Sequence, residues 1–293
     1  AYVNVSGGEP FLRKDLAEII EALHCACPKA EICISTNGIL TNRIHEQMQR
    51  IIKINPSTRV MISIDGVGDV HDSIRGVKGA FDAAIESLKL LKGMGVKKLG
   101  IAAIATNHNL GRISHVMEIA KDMKIDFTFD GVPNRSDLTL ATEPYRFEDL
   151  DLLKSEIEYI VRAFLRSFNP RNLVRAYVNS GDLHYVLTGK RTIPCFAGTD
   201  FFFLSPNGGI YPDMVIGYEF GNIKEESFEK IWTSERAQEF RRKMRDVNNC
   251  PTPCWMLCTV WPHMRRNKLD VISWMLVNKL KAHLGISVTP VQG

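Results

Sequence analysis

Three thiols stand within nine residues of one another, Cys250, Cys254 and Cys258, spaced C-x3-C-x3-C in NNCPTPCWMLC. Pro251 and Pro253 oppose regular structure between them. Cys195 stands ahead of an apolar segment and offers a fourth sulfur. Thiolates are soft ligands, and four of them can hold either zinc or an iron–sulfur cluster, so ligand count does not separate the two. Buried, unligated thiols are the alternative, and the spacing beside prolines argues against it. Cys25, Cys27 and Cys33 read as structural: the first two are two apart on a helix and face different directions, and the third lies inside an apolar strand. An odd total of seven cysteines fits a reducing, cytoplasmic setting better than a disulfide framework.

A second set of chemistry-bearing residues follows short apolar strands. In SGGEP, Gly7 and Gly8 let backbone groups approach a ligand with no Cβ in the way, and Glu9 with the carbonyl preceding Pro10 suits an ammonium. The bland reading is a strand-to-helix turn with Glu9 and Pro10 at its first positions. In SIDG, Ser63 and Asp65 share one face of a strand end and could bind a ribose or an amino-acid head group. Arg75, twelve residues after Ser63, suits a carboxylate. Here the bland readings are a turn-forming Asp-Gly and a solvated cation.

The elements that must position these residues repeat. Tyr2–Ser6, AEICISTNG, TRVMISIDG, KKLGIAAIATN and IDFTFDGV read as five strands, with helices predicted over Leu12–Cys27, Asn42–Ile52, Ala80–Gly93 and Ile113–Met123. Ser6 to Ser35 is 29 residues and Ser35 to Ser63 is 28, about one βα unit each. Nearly continuous apolar strands at this spacing predict a parallel sheet covered by helices, closed as a full or partial barrel or open and doubly wound. Function is expected at the strand carboxyl ends, which read SGGEP, STNG, SIDG, ATNHN and FDGVPN. Beyond Pro144 the pattern changes: helices over Phe147–Phe168 and Leu173–Leu187, a β-hairpin in TDFFFLSPNGGIYPDMVIG, and helices over Glu226–Ile231, Ser234–Met244 and Asp270–Leu284. The last carries Val271, Ile272, Trp274, Met275, Val277 and Leu280 as an apolar face, expected to pack on its own domain rather than on a membrane. A net charge of +4 with dispersed basic residues gives no argument for nucleic acid, and no apolar run approaches the roughly 20 residues of a membrane span. Asn4-Val5-Ser6 matches a glycosylation acceptor by chance, inside a strand.

Taken together, GGEP, STNG, SIDG and HDSIRG…GAF in this order resemble the core of the radical S-adenosylmethionine (SAM) enzymes. The second half, CFAGTDFFFLSPNGGIYPD…FGNIKEESFEKIW…CPTPCWMLC, resembles their SPASM or twitch extension. The resemblance implies an α/β fold, a partial (β/α) barrel over residues 1–190 with a helical linker from about 145, and an auxiliary-cluster domain over 191–293. It implies that Gly7, Gly8 and Glu9 meet the SAM ammonium, that Ser63, Asp65 and Arg75 lie near its ribose and carboxylate, and that Asn37 and Asn107 stand on the same rim. Cys195, Cys250, Cys254 and Cys258 would ligate one auxiliary [4Fe–4S] cluster. Asp213 occupies a position where many relatives have cysteine, as a weak iron ligand or a turn residue, and Asp130 is a base or a turn carboxylate. The family's C-x3-C-x2-C, which holds the SAM-cleaving [4Fe–4S] cluster, does not occur in the sequence; the resemblance places it one βα unit upstream of SGGEP. With it, the family reduces SAM and abstracts hydrogen from a peptide, protein or small molecule, with ferredoxin or flavodoxin as electron donor. The rival readings are an inert SAM-fold scaffold with an Fe–S or zinc site, and a metal-independent α/β-barrel lyase that leaves the late thiols unexplained.

Overall fold

Five strands run parallel and in sequence order: β1 (Tyr2–Val5), β2 (Glu31–Thr36), β3 (Arg59–Ser63), β4 (Lys98–Ile104) and β5 (Asp126–Asp130). The computed structural model describes residues 1–130, 147–244, 246–250 and 254–291. The FDGVPN strand end beyond Asp130, Pro144, Pro251 and Pro253 therefore lie outside the described residues. Between the strands run α1 (Leu16–Ala26), α2 (Thr41–Ile54), α3 (Asp69–Arg75), α4 (Ala80–Gly93) and α5 (Ile113–Asp122). Sequential order with one βα unit per step is the connectivity of a barrel wall.

Alternation along the strands sorts the two faces. Ile32, Ile34, Val60, Ile62, Leu99, Ile101, Ala103, Phe127 and Phe129 are buried, on the face that α1, α4 and α5 cover. The intervening residues are a different population: Asn4, Ser35, Ser63, Ala102, Thr128 and Asp130, all at least partly exposed. Register lines them up, with Ser63 beside Ala102 and Ala102 beside Thr128. Lower on this second face the buried Arg59 pairs with Glu31 at 2.7 Å and Asp126 at 2.6 Å. It reaches across β4 because Gly100 carries no side chain there; a Cβ would stand 2.8 Å from Met61 Sδ and from the Asp126 carbonyl.

Two compact units divide the chain, Ala1–Asp130 and the residues from 131 onward. The change of pattern ahead of the hairpin predicts a division near 190. The difference lies in α6 (Leu150–Arg166) and α7 (Pro170–Thr188), which pack on each other and on α11 (Lys268–His283). Arg166 Nε donates to the Ala282 carbonyl, and Lys279 Nζ to the carbonyls of Leu165 and Ser167. The expected hairpin forms as β6 (Phe203–Leu204) and β7 (Gly209–Tyr211), and gains a third antiparallel strand, β8 (Gly221–Asn222). Next come α8 (Phe228–Thr233), α9 (Glu235–Lys243) and α10 (Leu257–Arg266). Helices α3 and α10 were not anticipated: HDSIR is helical and ends at Gly76 in the left-handed region (φ 67°), and Cys258 sits in the first turn of α10. The apolar residues of α11 do not form one inward face. Val271 and Met275 are buried, whereas Ile272, Val277 and Leu280 point outward, because six such positions span more of the helix than one packing surface can cover.

Candidate functional site

The carboxyl ends of β1 and β2 are joined by one carboxylate. Glu9 Oε1 accepts from Thr36 Oγ1 at 2.8 Å and from the Phe11 N–H at 3.1 Å, and Oε2 accepts from the Asn37 N–H at 2.8 Å. Glu9 thus caps the 3-10 turn Pro10–Leu12 and staples two strand ends. Both oxygens have partners within the protein, and Oε2, with one donor, keeps a lone pair for a further one. Gly7 and Gly8 are exposed, and Gly7 adopts φ 147°, a conformation side chains disfavour. Asn37 Oδ1 accepts from the Ile39 N–H at 2.9 Å and shapes the turn after β2.

At the ends of β3 and β4 the polar groups are drawn inward. Asp65 is buried; its Oδ1 accepts from the Ile104 N–H at 3.0 Å and its Oδ2 pairs with Arg75 at 2.6 Å. Its own N–H donates to His71 Nδ1 at 3.0 Å. Burial, with the Arg75 charge adding to it, pushes the His71 pKa down, which keeps the ring neutral and Nδ1 free to accept. Asp65 therefore holds the ends of β3, β4 and α3 together. Asn109, a residue the sequence reading passed over in favour of Asn107, ties the two ends together. Its Nδ2 donates to the carbonyls of Asp65 (2.6 Å) and Ile104 (2.8 Å), and its Oδ1 accepts from the Thr106 N–H at 2.7 Å. Its signal in the sequence was only its place in ATNHN, two residues beyond Asn107. Asn107 is half-buried in the turn after β4; Ser63 and Asp130 stand half-exposed at the ends of β3 and β5.

Besides His71 Nε2, two buried polar atoms on this rim lack a hydrogen-bond partner among the described residues: Arg75 Nε and Thr106 Oγ1. One is a cationic donor beside the Asp65 carboxylate and the other a hydroxyl at the end of the neighbouring strand. A ligand carrying a carboxylate and hydroxyls satisfies such atoms, so the residues present fit the polar end of a nucleoside–amino-acid conjugate such as SAM.

In the second unit Cys195 and Cys258 stand close enough to Cys254 to act on it electrostatically. Burial pushes the Cys254 and Cys195 thiols well up; the Arg191 guanidinium opposes this in both, and Asp213, Cys258 and Cys195 are near enough to Cys254 to add to its rise. Arg191 organises the segments that carry them. It donates to the carbonyls of Ile193 (2.9 Å), Pro194 (3.3 Å), Cys254 and Thr259 (2.8 Å) and to Thr259 Oγ1 (3.0 Å), and its guanidinium lies 5.5 Å from the Trp255 ring centre. Trp255 in turn donates to the Val178 carbonyl at 2.8 Å and fills the space over Gly181, where a Cβ would collide with its ring. Cys195 and Cys250 border a core of Ile210, Ile216, Phe220 and Phe240. Asp213 Oδ1 accepts from the N–H groups of Val215 and Ile216, closing the turn after β7. Among the described residues no three such side chains already stand in metal-holding geometry. The donor set nevertheless suits a cluster: thiols from two segments, locked by one arginine, with a cation to offset thiolate charge.

Comparison with known proteins agrees with this division of labour. Residues 1–123 match the radical SAM superfamily, and residues 195–259 match SPASM, an iron–sulfur cluster-binding domain. The AdoMet-dependent heme synthase of Methanosarcina barkeri is 27% identical across 85% of this chain and 72% of its own length. The Fe-coproporphyrin III synthase of the same organism is 29% identical across 78% of this chain and 60% of its own. The mycofactocin maturase MftC of Mycolicibacterium smegmatis is 31% identical across 41% of this chain and 29% of its own. Among solved structures, anSMEcpe with bound AdoMet gives a TM-score of 0.56 at 16% identity, covering 96% of this chain and 84% of that one. Streptococcus suis SuiB bound to S-adenosylmethionine gives 0.57 at 18%, covering 82% and 56%; at such identities these show the fold. This chain carries a radical SAM domain followed by a SPASM iron–sulfur cluster-binding domain, the combination found in enzymes that depend on SAM and iron–sulfur clusters.

Proposed function

We propose that the protein is a radical SAM oxidoreductase or maturase, with SAM seated on the carboxyl-end rim and one auxiliary [4Fe–4S] cluster held by Cys195, Cys250, Cys254 and Cys258. The observation that supports the rim most directly is the pair of unpartnered buried atoms, Arg75 Nε beside Asp65 and Thr106 Oγ1 after β4. Together with the SAM-cleaving [4Fe–4S] cluster, whose C-x3-C-x2-C does not occur in this sequence, SAM would supply hydrogen-atom abstraction, and the auxiliary cluster would bind substrate or pass an electron. The chain's own part is to bind and orient. Arg75, braced by Asp65, offers charge to a carboxylate; Ser63 and Thr106 offer hydroxyls; Gly7 and Gly8 leave their backbone open beside β1. Glu9 and Asn109 hold the strand ends at fixed separation, so these groups do not drift. Arg191 sets the spacing of the sulfur-bearing segments. Asp213 serves the turn after β7, and Asp130 stands at the rim where a base could act. A cytoplasmic location accords with seven free thiols.

The substrate we infer is a haem-type tetrapyrrole. The relatives that extend over 78–85% of this chain are those named for heme and its precursors, whereas the mycofactocin maturases match over 120 residues. Anaerobic incubation with SAM and dithionite of the iron-loaded protein, in a form that includes the C-x3-C-x2-C segment the family places ahead of SGGEP, with a porphyrin or a peptide added, tests both parts. Formation of 5′-deoxyadenosine stimulated by the porphyrin supports the proposal. No 5′-deoxyadenosine rejects catalysis, and stimulation by peptide alone rejects the substrate.

A further inference from the structure

The outward face of α11 is apolar. Leu269 is 83% exposed, Leu276 61%, Leu280 62% and Leu284 64%, and Ile272 and Val277 are half exposed. Positions 269, 272, 276, 280 and 284 advance by three or four residues, so they form one stripe along the helix. Ser273 and His283 are the polar residues on it. A lone exposed leucine is ordinary; a contiguous stripe five residues long is the signature of a covered face.

The flanking charges say what covers it. Asp270 and Lys281 lie on the same flank, eleven residues or about three turns apart. Their midpoint falls beside Leu276, which is also the centre of the stripe from Ile272 to Leu280. A two-fold axis through Leu276 brings Asp270 of each copy level with Lys281 of the other, twice over, while Ile272 meets Leu280 and Leu276 meets itself. Asp270 is exposed and makes no salt bridge among the described residues, and the Lys281 ammonium reaches only a neutral acceptor, Thr289 Oγ1, in the single chain. A parallel pair would instead put the two Asp270–Lys281 flanks on opposite sides of the seam, with no opposite charge across from either. An anionic lipid surface fits less well. Arg266 is held by Asp200 at 2.6 Å, Lys279 turns inward to the carbonyls of Leu165 and Ser167, and Asp270 would face the phosphates.

We propose that α11 is a dimerisation helix, pairing antiparallel with α11 of a second copy of this chain through Ile272, Leu276 and Leu280, with Asp270–Lys281 ion pairs on the flanks. Sedimentation velocity on the anaerobically purified protein over a micromolar dilution series tests it. The wild type is expected to dimerise. Leu276→Arg, which sets two guanidinium groups at the axis, is expected to give monomers, with unchanged circular dichroism because Leu276 is mostly exposed in its own chain. Lys281→Asp should weaken association by about tenfold or more, and Asp270→Lys combined with Lys281→Asp should restore it. A monomeric wild type, a dimer indifferent to Leu276→Arg, or a double swap no better than the single change overturns the proposal. So does a monomer that co-sediments with phosphatidylserine vesicles and loses that binding on Leu276→Arg, which would assign the face to a membrane.

Discussion

Removing the Asn109 side chain separates the ends of β3 and β4. Asn109→Ala deletes three short hydrogen bonds, to the Asp65 and Ile104 carbonyls and from the Thr106 N–H, at a side chain that is fully buried. At about 1 kcal/mol net for each bond, with an added penalty for each backbone group left dry, the loss comes to about 3 kcal/mol, within a range of ~2–5. For a urea m-value near ~2 kcal/mol/M, the midpoint of the first unit's transition falls by about 1.5 M. The assay is urea unfolding followed by far-ultraviolet circular dichroism, with tryptophan fluorescence alongside. All four tryptophans (Trp232, Trp255, Trp261 and Trp274) lie in the second unit and report on it alone. Asn109→Asp is expected to be no better: it keeps the Thr106 bond but turns a carboxylate toward two carbonyl oxygens. A midpoint shift below about 0.3 M for Asn109→Ala would refute the clamp.

The other expectations are as follows. Glu9→Gln keeps one acceptor where three donors converge; it should destabilise the first unit by about 1–2 kcal/mol and raise the dissociation constant for SAM, measured by equilibrium dialysis. Arg59→Ala removes the partner of Asp126 and leaves Glu31 with Lys98 at 3.8 Å, and should cost about 2–3 kcal/mol in the same urea assay. Gly181→Ala drives a methyl into the Trp255 ring; a loss of about 1–3 kcal/mol and a changed tryptophan emission maximum should accompany reduced iron retention. His71 has a pKa pushed below its ordinary 6.5, so the folded state favours the neutral ring. Its contribution is complete above pH 6.5 and is lost as pH falls from there toward the folded-state value, and His71→Gln should flatten that part of the stability–pH profile.

The parallel sheet was legible because each strand is a short apolar run followed by a turn-forming group, repeated at a βα interval. Its two faces were harder to read. Ser35, Thr128 and Asn4 sit at alternate positions within strands whose apolar content masks the period of two, so the polar inner face shows only once register is known. The rim residues were found, but not which of them stay open. Glu9 and Asp65 look like ligand carboxylates in sequence, yet their partners, Thr36, Asn37, Ile104 and Arg75, come from segments 10 to 39 residues away. Thr106 and Asn109 had only their place in ATNHN to mark them. In the second half the thiols announced themselves by spacing, whereas Arg191 did not, because its work is done through backbone carbonyls that any sequence supplies. The apolar content of α11 was plain, but amphipathic periodicity does not tell which side turns inward.

The claim on which the account rests is that the late thiols hold an iron–sulfur cluster in a SPASM domain. Anaerobic reconstitution of the chain, followed by iron and acid-labile sulfide determination and electron paramagnetic resonance after reduction, addresses it directly. The account predicts about four irons and four sulfides held by Cys195, Cys250, Cys254 and Cys258, with the spectrum lost in Cys254→Ala. One zinc ion per chain, or iron content unchanged in Cys254→Ala, would contradict it.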